Sequence, residues 1–283
     1  MTTMRRVLLL VIIIASFISG GSTFAGPVVE FSNLPGREPA HLVGYLARPG
    51  VGLSALQHDA RRSPALSSCR RVAWLRGHLQ PFGGDRRSAR RVGLRGFDNR
   101  YSGPRRMDGG CYSGTFVDQA FDAYAALRYL STLKVVDAGR VAVLGQSMGG
   151  SATLYAIDRD LTAQYFDQRF RAAIAYYPRC TVASVPVMTA PVLILIGEAD
   201  QWNRADACKT LRNLASLDSA SIGVTVYPGV HHAFDVAQLK PGRSSDGRWL
   251  EYDEVAARDA EEKTRAFLAE HLAGMPAPSQ SSH

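Results

Sequence analysis

From Phe116 to Leu272 short apolar runs alternate with stretches of helical period, and this alternation limits the folds open to the chain more than any other feature. Val141 to Leu144, Ala172 to Tyr177, Val192 to Ile196 and Gly223 to Tyr227 read as strands, bounded by Gly, Pro and polar residues. Between them, Phe116 to Leu133 repeats apolar residues at Val117, Phe121, Tyr124, Leu127 and Leu130, the spacing of one helix face. Gly149 to Ile157, Ala205 to Leu217 and a long closing stretch from Asp253 to Leu272 also read as helices. Strands that alternate with helices pair in parallel, because the helix supplies the crossover, and the resulting sheet is covered on both faces. Val28 to Phe31 and Leu42 to Ala47 add two short strands around the turn Leu34-Pro35-Gly36. A length of 283 residues fits one α/β domain over 26–274, and Met275 to His283, rich in Pro and Ser, reads as a frayed tail.

Within that alternation, Gly145-Gln146-Ser147-Met148-Gly149 follows an apolar strand and opens a helix. A G-x-S-x-G segment in this context turns so sharply that side chains at Gly145 and Gly149 would crowd the backbone, while the serine hydroxyl is pushed into the open. Ser147 is therefore the candidate nucleophile; the plainer reading is a serine that caps a helix. A serine needs a base, and the base needs a carboxylate to hold its tautomer; in α/β-hydrolases, which share this elbow, the chain order is Ser, Asp or Glu, His. Asp200, at the end of Leu193 to Gly197 and its polar loop, suits the acid, with Glu198 and Asp206 as rivals. His231 and His232 follow the strand at Gly223 to Tyr227, and either can be the base.

The segment Tyr227-Pro228-Gly229-Val230-His231-His232-Ala233-Phe234 resembles the dienelactone hydrolase family, in which a Tyr-Pro-Gly turn leads to the catalytic histidine, then a small residue and Phe. The likeness runs from about Gly96 to Leu272 and is visible again in Val28 to Pro49, as in exported members. It implies an α/β-hydrolase fold, the triad Ser147, Asp200 and His232, and an oxyanion donor at the Met148 N–H. The founding enzymes use cysteine, so serine at 147 implies ester or lactone hydrolysis without fixing the dienelactone substrate. The expected partner is a small ester or lactone. No metal spacing, phosphate loop or dinucleotide motif is present, and no cofactor is expected.

Arg5 and Arg6, the twelve-residue apolar run Val7 to Ile18 and the small residues before Ala25 read as a signal peptide cut after Ala25. Twelve residues fall short of the roughly 20 that span a bilayer, so an anchor is the weaker reading. Export implies a periplasmic or extracellular enzyme without a stable membrane anchor after cleavage, in an oxidising compartment. Of Cys69, Cys111, Cys180 and Cys208, the last two follow strands at the same sheet end and are the candidate disulfide; two separate buried thiols are the alternative.

The formal charge of +8 is confined to residues 51–95, which hold ten Arg, no Lys and two Asp. Such a cluster suggests an anionic surface or nucleic acid, but Trp74 and Phe82 alone provide no stacking pattern, and no nucleic-acid partner is expected. In the family this interval carries an apolar strand, a His-Gly-rich loop that completes the oxyanion hole, a helix and a second apolar strand, both strands lying mid-sheet beside the one that bears Ser147. Neither strand is visible here, and Ile, Tyr, Lys and Glu are missing. Asp85 to Ala89 can be encoded so that reading one base later gives Ile-Val-Asp-Leu, a plausible buried strand. Residues 51–95 therefore read as aberrant, a stretch translated in a shifted frame, with a genuine Arg-rich insertion as the alternative. A relative that keeps the fold without turnover is the remaining alternative for function.

Overall fold

The computed structural model describes residues 9–15, 28–32, 41–46 and 94–100 as backbone strands, and 116–133, 136–181 and 185–272 in full. Cys69, Cys111, residues 51–93 of the Arg-rich segment and the 275–283 tail lie outside the described residues.

The described strands form one eight-stranded sheet and a short hairpin. The sheet is built from β1 (Leu9–Ala15), β2 (Val28–Ser32), β3 (His41–Leu46), β4 (Leu94–Arg100), β5 (Val141–Gln146), β6 (Ala172–Tyr176), β7 (Val192–Gly197) and β8 (Ile222–Tyr227), in the order β2-β3-β4-β1-β5-β6-β7-β8. The β4-β1-β5-β6-β7-β8 part is parallel, and β2 and β3 add an antiparallel edge. All five residues of β6 are buried, although successive side chains point to opposite faces, so both faces are covered. The cover comes from α1 (Phe116–Ser131), α2 (Met148–Ile157), α3 (Ala205–Leu214) and α4 (Glu254–Leu272). This is the parallel, doubly covered sheet expected from the alternation, and it agrees with the α/β-hydrolase fold that the resemblance implies.

Helix α3 stops at Leu214, three residues before the expected end. Ala215 takes an extended ψ of 138°, and the Ser216 N–H donates to Pro186 O instead of continuing the helix. The hairpin β9 (Arg243–Ser245) with β10 (Arg248–Leu250) was not anticipated, although its turn Asp246-Gly247 carries the usual signal. Both turn residues have positive φ, 49° and 74°, as a two-residue hairpin loop requires.

Two strands bear on the apparent gap in the middle of the sheet. Leu94–Arg100 is a strand that takes only Leu94 and Arg95 from the Arg-rich stretch; its other residues fall where the family likeness resumes, near Gly96. The place between β4 and β5 is taken by Leu9–Ala15, with Leu10 to Ile14 in parallel register with Val141 to Gly145. A position flanked by a strand on each side selects an apolar, β-branched sequence, and Leu-Leu-Val-Ile-Ile-Ile-Ala meets that demand. In the full-length chain Leu9–Ala15, within the apolar run of the expected leader, is thus a strand of the sheet.

Candidate active site

Strand β5 and helix α2 meet at Ser147, which adopts φ 52° and ψ −115°. This conformation is costly for a residue with a Cβ, on the order of 1–3 kcal/mol, and is held only where the surroundings enforce it. Here the Ser147 N–H donates to Tyr176 O at 3.0 Å, and Ser147 O accepts the first helical bond from the Ser151 N–H at 2.9 Å. A Cβ on Gly145 would stand 2.1 Å from Gly149 O, so Gly145 is required by the close approach of strand to helix. The neighbouring Gly150 matters in the same way, since its Cβ would meet Tyr176 O at 2.7 Å. The Ser147 side chain caps nothing. Its Oγ lies 2.9 Å from His232 Nε2.

His232 is 1 % exposed, and its other ring nitrogen, Nδ1, lies 2.7 Å from Asp200 Oδ2. An ionised carboxylate only accepts, so this contact assigns the proton to Nδ1 and leaves Nε2 free to accept from the Ser147 hydroxyl. Asp200 Oδ1 accepts from the N–H groups of Trp202 at 2.8 Å and Asn203 at 2.9 Å. Three hydrogen bonds thus satisfy a carboxylate that burial would otherwise penalise.

The loops after β7 and β8 are laced together, which is how residues 32 positions apart meet. The Glu198 N–H donates to Tyr227 O at 2.8 Å and the Ala199 N–H to Val230 O at 3.0 Å. The rival residues have other occupations. Glu198 accepts from the Gly229 N–H at 3.0 Å, Asp206 pairs with Lys209 at 3.2 Å on the surface, and His231 Nδ1 lies 3.2 Å from Ala199 O. Met148 is the first residue of α2, where unpaired N–H groups and the helix dipole favour developing negative charge, and its Sδ accepts from Gln119 at 2.9 Å.

Cys180 and Cys208 are bonded, with Cα atoms 4.9 Å apart. The bond ties the segment after β6 to α3, next to the Asp200 loop.

Sequence reasoning missed a second polar layer. Asp235, half-buried, accepts from Tyr177 Oη at 2.7 Å and from the side-chain amide of Gln146. Burial, opposed by those hydrogen bonds, raises its carboxyl from the ordinary 3.8 to about 6. Tyr177 packs edge-on to His232 with centroids 4.5 Å apart, and burial together with the Asp235 charge holds its phenol well above the usual value. Trp202 also borders the imidazole, at 5.9 Å, with Arg248 stacked 4.7 Å above its ring. The only sequence signal for Asp235 was a carboxylate placed one residue beyond the His-Ala-Phe segment.

Residues 105–272, more than half of the chain, match the model of the dienelactone hydrolase family. The chain is 27 % identical over 157 residues to a Bradyrhizobium protein named "Probable 2-oxo-3-(5-oxofuran-2-ylidene)propanoate lactonase", covering 54 % of this chain and 59 % of that one. It is 25 % identical over 158 residues to the protein usf of Aquifex pyrophilus, covering 55 % and 61 %. The match therefore spans about three fifths of the length of these relatives. Among solved structures, the apo form of Thermogutta terrifontis esterase 2 superposes with a TM-score of 0.55 at 16 % identity, over 89 % of this chain and 97 % of that one.

Proposed function

The chain belongs to the dienelactone hydrolase family, and from that premise we propose that it hydrolyses a carboxylic ester or lactone through Ser147, His232 and Asp200 by way of an acyl-enzyme. One observation carries the reading. Ser147 Oγ, on a strained elbow, is within 2.9 Å of a buried imidazole whose far nitrogen is 2.7 Å from a fully bonded carboxylate.

In the first half of the reaction His232 Nε2 takes the Ser147 hydroxyl proton as Oγ bonds to the substrate carbonyl carbon. The oxyanion forms beside the Met148 N–H at the head of α2. Collapse breaks the bond to the alcohol oxygen, which leaves with the proton from His232; in a lactone that oxygen stays tethered to the acyl chain. A water molecule then gives its proton to Nε2 and attacks the acyl carbon, and Ser147 regains its proton as the acid departs. Asp200 stays ionised throughout and steadies the transient imidazolium.

Export is part of the proposal. The leader-like N-terminus and the Cys180–Cys208 bond both support a periplasmic or extracellular enzyme. Among the described residues no helix is long and apolar enough to cross a membrane.

The test combines turnover of short chromogenic esters and lactones with mass spectrometry after treatment with an organophosphate ester. We expect hydrolysis and a single phosphoryl adduct on Ser147, both lost in Ser147→Ala. Turnover that survives in that variant, or an adduct elsewhere, would overturn the assignment.

A further inference from the structure

Building on the proposed triad, we propose that Tyr177 and Asp235 are positioning residues for the His232 imidazole, Tyr177 through its edge-on ring contact and Asp235 by holding the Tyr177 hydroxyl. The triad bonds restrain the two ring nitrogens but leave the ring free to rock about the line joining them. An edge-on aromatic neighbour blocks that motion, provided it is itself immobile.

Tyr177 is immobilised at every polar atom. Its N–H donates to Leu195 O at 2.7 Å, its carbonyl accepts from Asn203 Nδ2 at 2.8 Å, and its hydroxyl donates to Asp235 Oδ1 at 2.7 Å. Asn203 also gives its backbone N–H to Asp200 Oδ1 at 2.9 Å, so one residue holds both the acid and the tyrosine. Asp235 is held in turn by the Gln146 amide, the residue before the nucleophile. The hydrogen-bonded chain Ser147-neighbour, Asp235, Tyr177, Asn203 and Asp200 therefore runs around the imidazole from one end of the triad to the other.

Backbone strain marks the same place. Among the described residues four non-glycine positions have positive φ, and three of them surround His232: Ser147 at 52°, Tyr177 at 36° and Ala233 at 61°. Tyr177 leaves β6 in the left-handed region, and its ring, 2 % exposed, lies 4.5 Å from the imidazole between centroids. The strain falls where that contact is made.

Three variants test the assignment. Tyr177→Phe keeps the ring but removes the hydroxyl, and Asp235→Ala removes its acceptor. Displacement of a catalytic group by a fraction of an ångström to one ångström costs up to about 100-fold in rate, so both are expected to lower kcat about 10- to 100-fold with KM within about twofold. Asp235→Asn is expected to recover most of the rate. Its amide oxygen still accepts from Tyr177, and its NH₂ can meet Gln146 Oε1, which is buried without a partner among the described residues, once the Gln146 amide turns over. A second readout does not depend on turnover. The proton on His232 Nδ1 is expected to give a slowly exchanging downfield resonance in the native protein and in Asp235→Asn, broadened or lost in Tyr177→Phe and Asp235→Ala. If the native protein lacks esterase activity, the proposed function fails while this resonance still decides the positioning role. Unchanged kcat and an unchanged resonance in Tyr177→Phe and Asp235→Ala would overturn it.

Discussion

Gly197, the last residue of β7, lies against Val230 so closely that a Cβ there would stand 2.1 Å from the Val230 carbonyl oxygen and 3.1 Å from that of His231. These are backbone atoms that cannot rotate away. The approach joins the acid-bearing loop to the histidine-bearing loop. Gly197→Ala is expected to force them apart, with a loss of stability of about 1–3 kcal/mol, as for other overpacked sites, and a larger loss of kcat than of KM. Denaturant melts and ester kinetics on the variant would check this; native values in both would show that the loops tolerate separation.

His232→Ala is expected to be nearly inactive, with kcat down about 10⁴-fold or more, because the members of a triad act as a unit. His231→Ala loses one contact to a backbone carbonyl and is expected to stay within about tenfold of native. The reverse ranking would make His231 the base.

Asp235 sets a pH dependence of stability. Its folded value of about 6 lies above the ordinary 3.8, so the folded chain holds this proton more tightly than the unfolded chain. The associated stability is fully present below about pH 4 and is lost as pH rises through about 6, a difference of roughly 3 kcal/mol. Asp235→Asn, which never ionises, is expected to be more stable than the native chain at pH 8 and about equal at pH 4. Comparing urea midpoints at the two pH values isolates this group, since all other carboxylates are common to both proteins.

The Cys180–Cys208 bond closes a loop with a sequence separation of 28 residues. Chain entropy for a loop of that size corresponds to about 3–4 kcal/mol. Cys208→Ser is expected to lower stability by an amount of this order and to speed inactivation, and a non-reducing peptide map of the native protein is expected to show the 180–208 pair. Free thiols at both positions would refute the pairing.

The N-terminal run and the Arg-rich segment make a joint prediction. With the chain expressed from its first Met, export is expected, and N-terminal sequencing of the product is expected to begin at Gly26; a chain cut there lacks Leu9–Ala15, the strand between β4 and β5. The coding DNA across residues 45 to 100 is expected to contain a compensating insertion and deletion, and restoring the frame is expected to supply an apolar strand of its own. A restored chain is expected to be more stable and about 100- to 1,000-fold faster, the worth of an oxyanion donor. An intact frame, or full activity in the chain as written, would overturn this.

What the sequence by itself determined was whatever depends on neighbours along the chain. The period of Val192 to Ile196 marks a buried strand, Gly145 and Ser147 mark a strand-to-helix elbow, and these suffice for the fold class and for the candidate nucleophile. The choice of His232 rested on a family segment, and Asp200 on its position at a strand end. What only the tertiary structure decided was which side chains converge from distant strands. Glu198 and Asp206 lie within six residues of Asp200 in sequence, yet with Ala199 bonded to Val230 it is Asp200 that meets the imidazole. Tyr177 and Asp235, 58 positions apart, share a hydrogen bond that no local pattern encodes. Hydrophobic period reports which face of an element is buried, whereas the partner of a buried polar atom is set by the packing of whole elements, and that is fixed when the sheet closes around them.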